Sequence, residues 1–174
     1  MTEPLHYMEL HHIATLLASK EISPVEVTEY FLARIDSLEP KLNAFNLVTE
    51  ELARADAKKA EKDIVRGDYR GALHGIPLAV KDIFDMAGLP TTASMAIHRD
   101  SLANRDATVV SRLRAAGAVI LGKTNLTEGV YGEHLPPYGA PLNPWNNNYW
   151  PGASSSGSGV AVAGGLCAAA LGSD

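Results

Sequence analysis

Cys167 is the single cysteine in the chain, so no disulfide can form within it, and a thiol set among small residues reads as a buried, inert group suited to a reducing cytosol. Also missing is any basic block with interleaved aromatics. With a net charge of -5, neither nucleic acid nor an anionic membrane is an expected partner. Met1 to Leu10 is polar and carries acidic residues, so it does not read as a secretory signal. The longest apolar stretch, Gly159 to Gly172, is too short and too rich in Gly and Ala to span a bilayer, which takes about 20 apolar residues. Metal-ligand spacing is absent as well. His11 and His12 are adjacent and point to different faces of a helix, and Glu133-His134 lacks the second histidine of a H-E-x-x-H site. These absences lead to an expected cytoplasmic protein with no metal and no other cofactor.

What is present is an ordinary globular composition, 46% hydrophobic and 20% charged, long enough for one domain with a sizeable core. The first third reads as helices. Apolar residues recur at helical spacing in Glu9 to Lys20. Ser23-Pro24-Val25-Glu26 is a capping box with proline at the first helical position; Val27, Phe31, Ile35 and Leu38 follow on one face, and Pro40 should lie just beyond the helix end. A third helix is expected from Thr49 to about Arg66, stopped by Gly67. From Gly71 the pattern changes. Ile76 to Val80 and Ala118 to Leu121 are short apolar runs that read as buried strands. Between them Asp106 should cap a helix that stops at Gly117, and a further helix of small residues is expected from Val160 to Gly165. Alternating strands and helices predict an α/β fold: a helical N-terminal layer followed by part of a mixed-sheet α/β/α sandwich.

Four groups of residues are candidates for chemistry. Gly117 to Thr124 fits the pattern G-x-x-x-x-G-K-[ST] of a phosphate-binding loop. Such a loop needs a strand before its first glycine, whereas here a helix precedes Gly117 and the middle residues form an apolar strand, so no nucleotide is expected. Asp82 and Asp85 could be an acid pair, but a strand-end cap and a solvated loop charge suit them better. Lys81 ends an apolar strand, and position alone leaves it between a solvated strand end and a desolvated lysine able to act as a base. Finally, Pro151 to Gly159 is a Ser/Gly run. It sits between two tryptophans and a tightly packing Ala/Val/Gly segment, which is no place for a flexible linker. Hydroxyls and glycines at a helix entry instead provide positioned hydrogen bonds.

In order, Gly75 to Asp82, Gly88 to Thr92, Gly122-Lys123-Thr124-Asn125, Asn143-Pro144-Trp145-Asn146 and Pro151 to Asp174 resemble the amidase-signature family, strongly over residues 75–174 and loosely before that. The resemblance implies one incomplete amidase domain over 1–174, with 1–70 as its helical layer and 71–174 as the start of the catalytic core. It implies hydrolysis of carboxylic amide C–N bonds by a Ser–cis-Ser–Lys triad acting on a small-molecule amide. Lys81 would be the catalytic lysine and Ser154 the bridging serine, preceded by a cis peptide bond. Ser155, Gly129 and Val130 would support the substrate and the loop. The family nucleophile would fall a few residues past Asp174, so the chain alone is expected not to turn over amides. Two departures from the family loop Gly-Gly-Ser-Ser-Gly-Gly are Ala153 and Ser156, which replace glycines. The alternatives are the A subunit of a glutamine-dependent aminoacyl-tRNA amidotransferase and a truncated inactive product. A homodimer is left open for the full-length enzyme.

Overall fold

A computed structural model describes residues 3–174; Met1 and Thr2, the first residues of the polar N-terminus, lie outside it. Helices α1 (Leu10–Ala18) and α2 (Pro24–Leu42) lead into strand β1 (Phe45–Val48), helix α3 (Glu50–Arg66) and strand β2 (Pro77–Lys81). Helix α4 (Thr108–Ala115), strand β3 (Val119–Thr124), helix α5 (Ser156–Ala163) and strand β4 (Ala169–Leu171) follow. The four-stranded sheet has the order β1-β3-β2-β4, with β1 antiparallel to β3 and the other neighbours parallel. It is a mixed α/β architecture with helices on both faces, as the alternation of elements predicted.

Both faces of the sheet are covered, which is why β2 and β3 read as unbroken apolar runs. Ala79, Val119 and Leu121 face one core with α1, α2, α3 and α5, centred on Phe31, Leu17 and Ile13. Leu78, Val80 and Ile120 face a smaller one with Met86 and Val110. The capping box forms as read: Ser23 Oγ accepts from the Glu26 amide and the Glu26 carboxylate from the Ser23 amide. The left-handed Gly67 ends α3.

Several expectations are corrected. Pro40 lies inside α2, not beyond it. The last turn survives the lost amide because Asn43 adopts a left-handed conformation and its amide donates to the Glu39 carbonyl, while the Glu39 carboxylate accepts from the amides of Ala44 and Phe45. Asp106 does not cap α4. The N-cap is Ala107, and the Asp106 carboxylate instead accepts from the Ala87 amide and meets Arg114. Strands β1 and β4 are additions to the elements expected. β1 is only four residues long and β4 only three, too short for alternation to show. The small-residue helix begins at Ser156 rather than Val160, so part of the Ser/Gly run is helical.

Candidate active site

Lys81 is the last residue of β2, and its side chain is completely buried. Its Nζ lies 2.6 Å from Ser154 Oγ and 2.8 Å from Ser173 Oγ. Burial pulls its pKa below the usual lysine value, since an ammonium without water or a counter-ion is costly there. The strand end and the entry to α5 are brought together by packing of α5 on β2 and β3, where Gly157 touches backbone. A Cβ on Gly157 would stand 2.4 Å from the Ala44 carbonyl oxygen and 2.5 Å from the Asn125 amide nitrogen. The Gly157 amide donates to the Asn125 carbonyl at 2.9 Å, which holds this approach. The Ala153–Ser154 peptide bond is cis, as the resemblance implied.

The other residues singled out fall around this centre in different ways. Ser155 joins it: its Oγ accepts from the Ser173 amide at 3.0 Å and donates to the Ser173 carbonyl at 3.2 Å, which fixes the tail carrying Ser173. Gly129 and Val130 are not hydrogen-bonded to Lys81 or its serine partners, but they belong to the turn anchored beside them. The Thr127 amide donates to the Ser154 carbonyl at 3.2 Å, and the Val130 amide to the Thr127 carbonyl at 3.0 Å. Both have positive φ, +60° for Gly129 and +70° for Val130. A β-branched residue in that region costs roughly 1–2 kcal/mol, the kind of local strain that collects at functional loops.

Sequence reasoning missed three features. Ser173 reads as the end of an apolar tail, yet its hydroxyl is the second partner of Lys81. Asp82 is no half of an acid pair; directly past the end of β2 its carboxylate accepts from the Thr92 amide, and, beyond the strand-end cap expected, it is buried in an ion pair with Lys123 at 2.6 Å. His134 Nε2 lies 2.7 Å from Ser156 Oγ, and its ring meets Trp150 edge-on, so a glycine-replacing serine has acquired a partner from a distant loop. Only a spacing of apolar against polar residues around Lys123 could have hinted at the ion pair, and the alternation there is broken by a register shift. Asp85 is exposed, the solvated loop charge expected.

A buried lysine held against serine hydroxyls at a helix entry is an arrangement able to move a proton, and solved structures of amidases share the fold that carries it. The native peptide amidase from Stenotrophomonas maltophilia superposes with a TM-score of 0.87 at 33% identity, over 94% of this chain and 35% of its own. The Amidase family model matches residues 26–174, and the chain belongs to that family. Among curated relatives, the putative amidase AmiD of Mycobacterium tuberculosis (strain ATCC 25618 / H37Rv) is 48% identical over 96% of this chain and 35% of its own length. The A subunit of the glutamyl-tRNA(Gln) amidotransferase of Methylobacillus flagellatus is 46% identical over 95% of this chain and 34% of its own. The chain thus spans about a third of the length of the relatives it matches. No helix of the described residues is long and apolar enough to cross a membrane.

Proposed function

We propose that this chain supplies the base and relay of an amidase that hydrolyses a small-molecule carboxylic amide, with Lys81 as base, Ser154 as bridging hydroxyl and the nucleophilic serine in sequence beyond Asp174. The observation that carries the reading is the 2.6 Å contact between a fully buried Lys81 Nζ and Ser154 Oγ. A neutral amine has two N–H groups and one lone pair. Here an N–H donates to Ser173 Oγ while the lone pair accepts the Ser154 hydroxyl proton. Ser154 Oγ in turn takes the proton of the nucleophilic hydroxyl as that oxygen bonds to the amide carbonyl carbon. When the C–N bond breaks, the proton returns through the same path to the leaving nitrogen, and water then hydrolyses the acyl-enzyme. The turn bearing Gly129 and Val130, tied to the Ser154 carbonyl through Thr127, supports the substrate side of the loop. The buried Cys167, a free thiol, suits a reducing, cytoplasmic setting.

A second reading, the A subunit of a glutamine-dependent aminoacyl-tRNA amidotransferase, is favoured by the 46% identical relative of that name and would use the same residues on the side-chain amide of glutamine. Labelling with a serine-directed fluorophosphonate tests the assignment. The chain as it stands should take no label and turn over no amide, and a polypeptide extended past Asp174 should be labelled beyond that residue. Stoichiometric label on Ser154, Ser155 or Ser173 of the short chain, with amide turnover, would show the nucleophile to be misplaced. Glutaminase activity that requires co-purifying partner chains would favour the second reading.

A further inference from the structure

The Lys123 that gives Gly117 to Thr124 its phosphate-loop appearance is unused by the relay, yet it is as deeply buried as Lys81. Its Nζ contacts Asp82 Oδ1 at 2.6 Å, the Pro90 carbonyl at 2.6 Å and Thr91 Oγ1 at 2.7 Å, so all three ammonium protons have acceptors. Asp82 is equally satisfied: beyond Lys123, it accepts from the Thr92 amide and hydroxyl and from Asn46 Nδ2 at 3.0 Å. An aspartate next in sequence to a catalytic base is a hazard, because a nearby carboxylate favours the ammonium form and abolishes the lone pair.

Strand register keeps the two lysines apart. Leu78 pairs with Ile120, but Ala79 pairs with Gly122, so Leu121 is an extra residue on β3. Paired residues of a parallel sheet share a face. After the shift Val80 is opposite Lys123 and Lys81 opposite Thr124. Without it, Lys81 would be opposite Lys123, on one face, since a one-residue slip turns every later side chain over. Thr124 accordingly meets Ser158 of α5 at 2.7 Å on the relay side, while Lys123 meets the turn that follows β2. The extra residue is a bulge that re-aims a side chain beside a site.

We propose that Lys123 is a positioning residue for amide hydrolysis: by occupying Asp82 on the opposite face of the sheet, it withholds that carboxylate from Lys81, which is left with hydroxyl partners only. The proposal rests on the reading of Lys81 as base. The charged groups around this strand end are Asp82 and Asp85 from the turn after β2, Lys123 from β3, and Asp174 next to Ser173; α5 and its entry loop present hydroxyls, those of Ser154, Ser155, Ser156 and Ser158, with the titratable His134 held on Ser156. Burial alone accounts for the lowered pKa of Lys81; burial lowers that of Lys123 too, and there the carboxylates of Asp82 and Asp85 partly oppose it.

The test uses the polypeptide extended past Asp174 and compares pH profiles of kcat/KM. Lys123→Gln keeps an amide that can donate to Asp82 and Pro90 but removes the charge, and Lys123→Met removes the donor too. Both should move the alkaline-rising limb to higher pH, by about tenfold or more in the proton affinity of the base, the lower end of what an unpaired neighbouring carboxylate does. Adding Asp82→Asn to either variant should return the midpoint to that of the parent. Lower activity at every pH with the parent midpoint, a double variant that does not return, or failure of both single variants to fold would each mark the pair as purely structural and overturn the proposal. Lys81→Met serves as the reference: full activity in that variant would sink the relay itself, independently of what Lys123 does.

Discussion

Replacing Gly157 by alanine probes how closely α5 must approach the sheet to deliver Ser154. The added methyl would meet the Ala44 carbonyl at 2.4 Å and both the amide and carbonyl of Asn125 at 2.5 Å, all backbone atoms that cannot rotate away. Those atoms already bond one another: the Asn125 amide donates to the Ala44 carbonyl at 2.8 Å and the Gly157 amide to the Asn125 carbonyl at 2.9 Å. Making room breaks at least one of these bonds, at about 1 kcal/mol each, and adds an overpacking cost of about 1–3 kcal/mol. The gain in helix propensity from Gly to Ala returns about 1 kcal/mol. The net expected loss is about 1–3 kcal/mol, a fall of several degrees in melting temperature for a domain of this size. Gly159, two residues along the same helix, is exposed and a Cβ there meets nothing within 4 Å. Gly159→Ala should therefore stabilise by about 0.5–1 kcal/mol. Thermal melts and urea titrations of the two variants decide the matter. Equal effects of the two substitutions, or stabilisation by Gly157→Ala, would refute the close approach. In a polypeptide extended past Asp174, Gly157→Ala should also depress amide turnover by about 10²-fold, as expected when a reacting group is misplaced by about 1 Å, while Gly159→Ala should leave it alone.

Other outcomes follow from the same contacts. Lys81→Met and Ser154→Ala should each abolish amide turnover in the extended polypeptide while leaving its fold intact by circular dichroism. Because burial lowers the Lys81 pKa, turnover should rise with pH through that value as the amine loses its proton. The same group makes stability rise with pH between its lowered folded value and the ordinary lysine value, where the unfolded chain binds the extra proton; the Lys81→Met variant should lack this rise in urea titrations across that window. Burial pushes the Cys167 thiol up to about 12, so iodoacetamide should not modify it at pH 8 until the chain is unfolded, and rapid alkylation of the folded chain would contradict its burial. Arg34 donates to the carbonyls of Gly165 at 2.8 Å and Gly164 at 2.9 Å at the end of α5, and Arg34→Ala should cost about 1–3 kcal/mol in a urea titration.

Local chemistry made much of this protein readable from its residues. The Ser23 capping box, the stop at Gly67 and the apolar runs of β2 and β3 depend on neighbours in sequence, and all appear where the residues place them. Lys81 and Ser154 were singled out by the segments that resemble the amidase-signature family; position at a strand end alone left Lys81 between a solvated and a desolvated lysine, and the structure buries it. Tertiary structure decided the rest. Pro40 stays helical because Glu39 and Asn43 hold the chain after it. Asp106 serves Ala87 and Arg114 rather than its own helix. Ser173 becomes a partner of Lys81 only once β4 pairs with β2. Which face Lys123 takes was set by a single extra residue in the β2–β3 register, an alignment between strands that no pattern within either strand specifies.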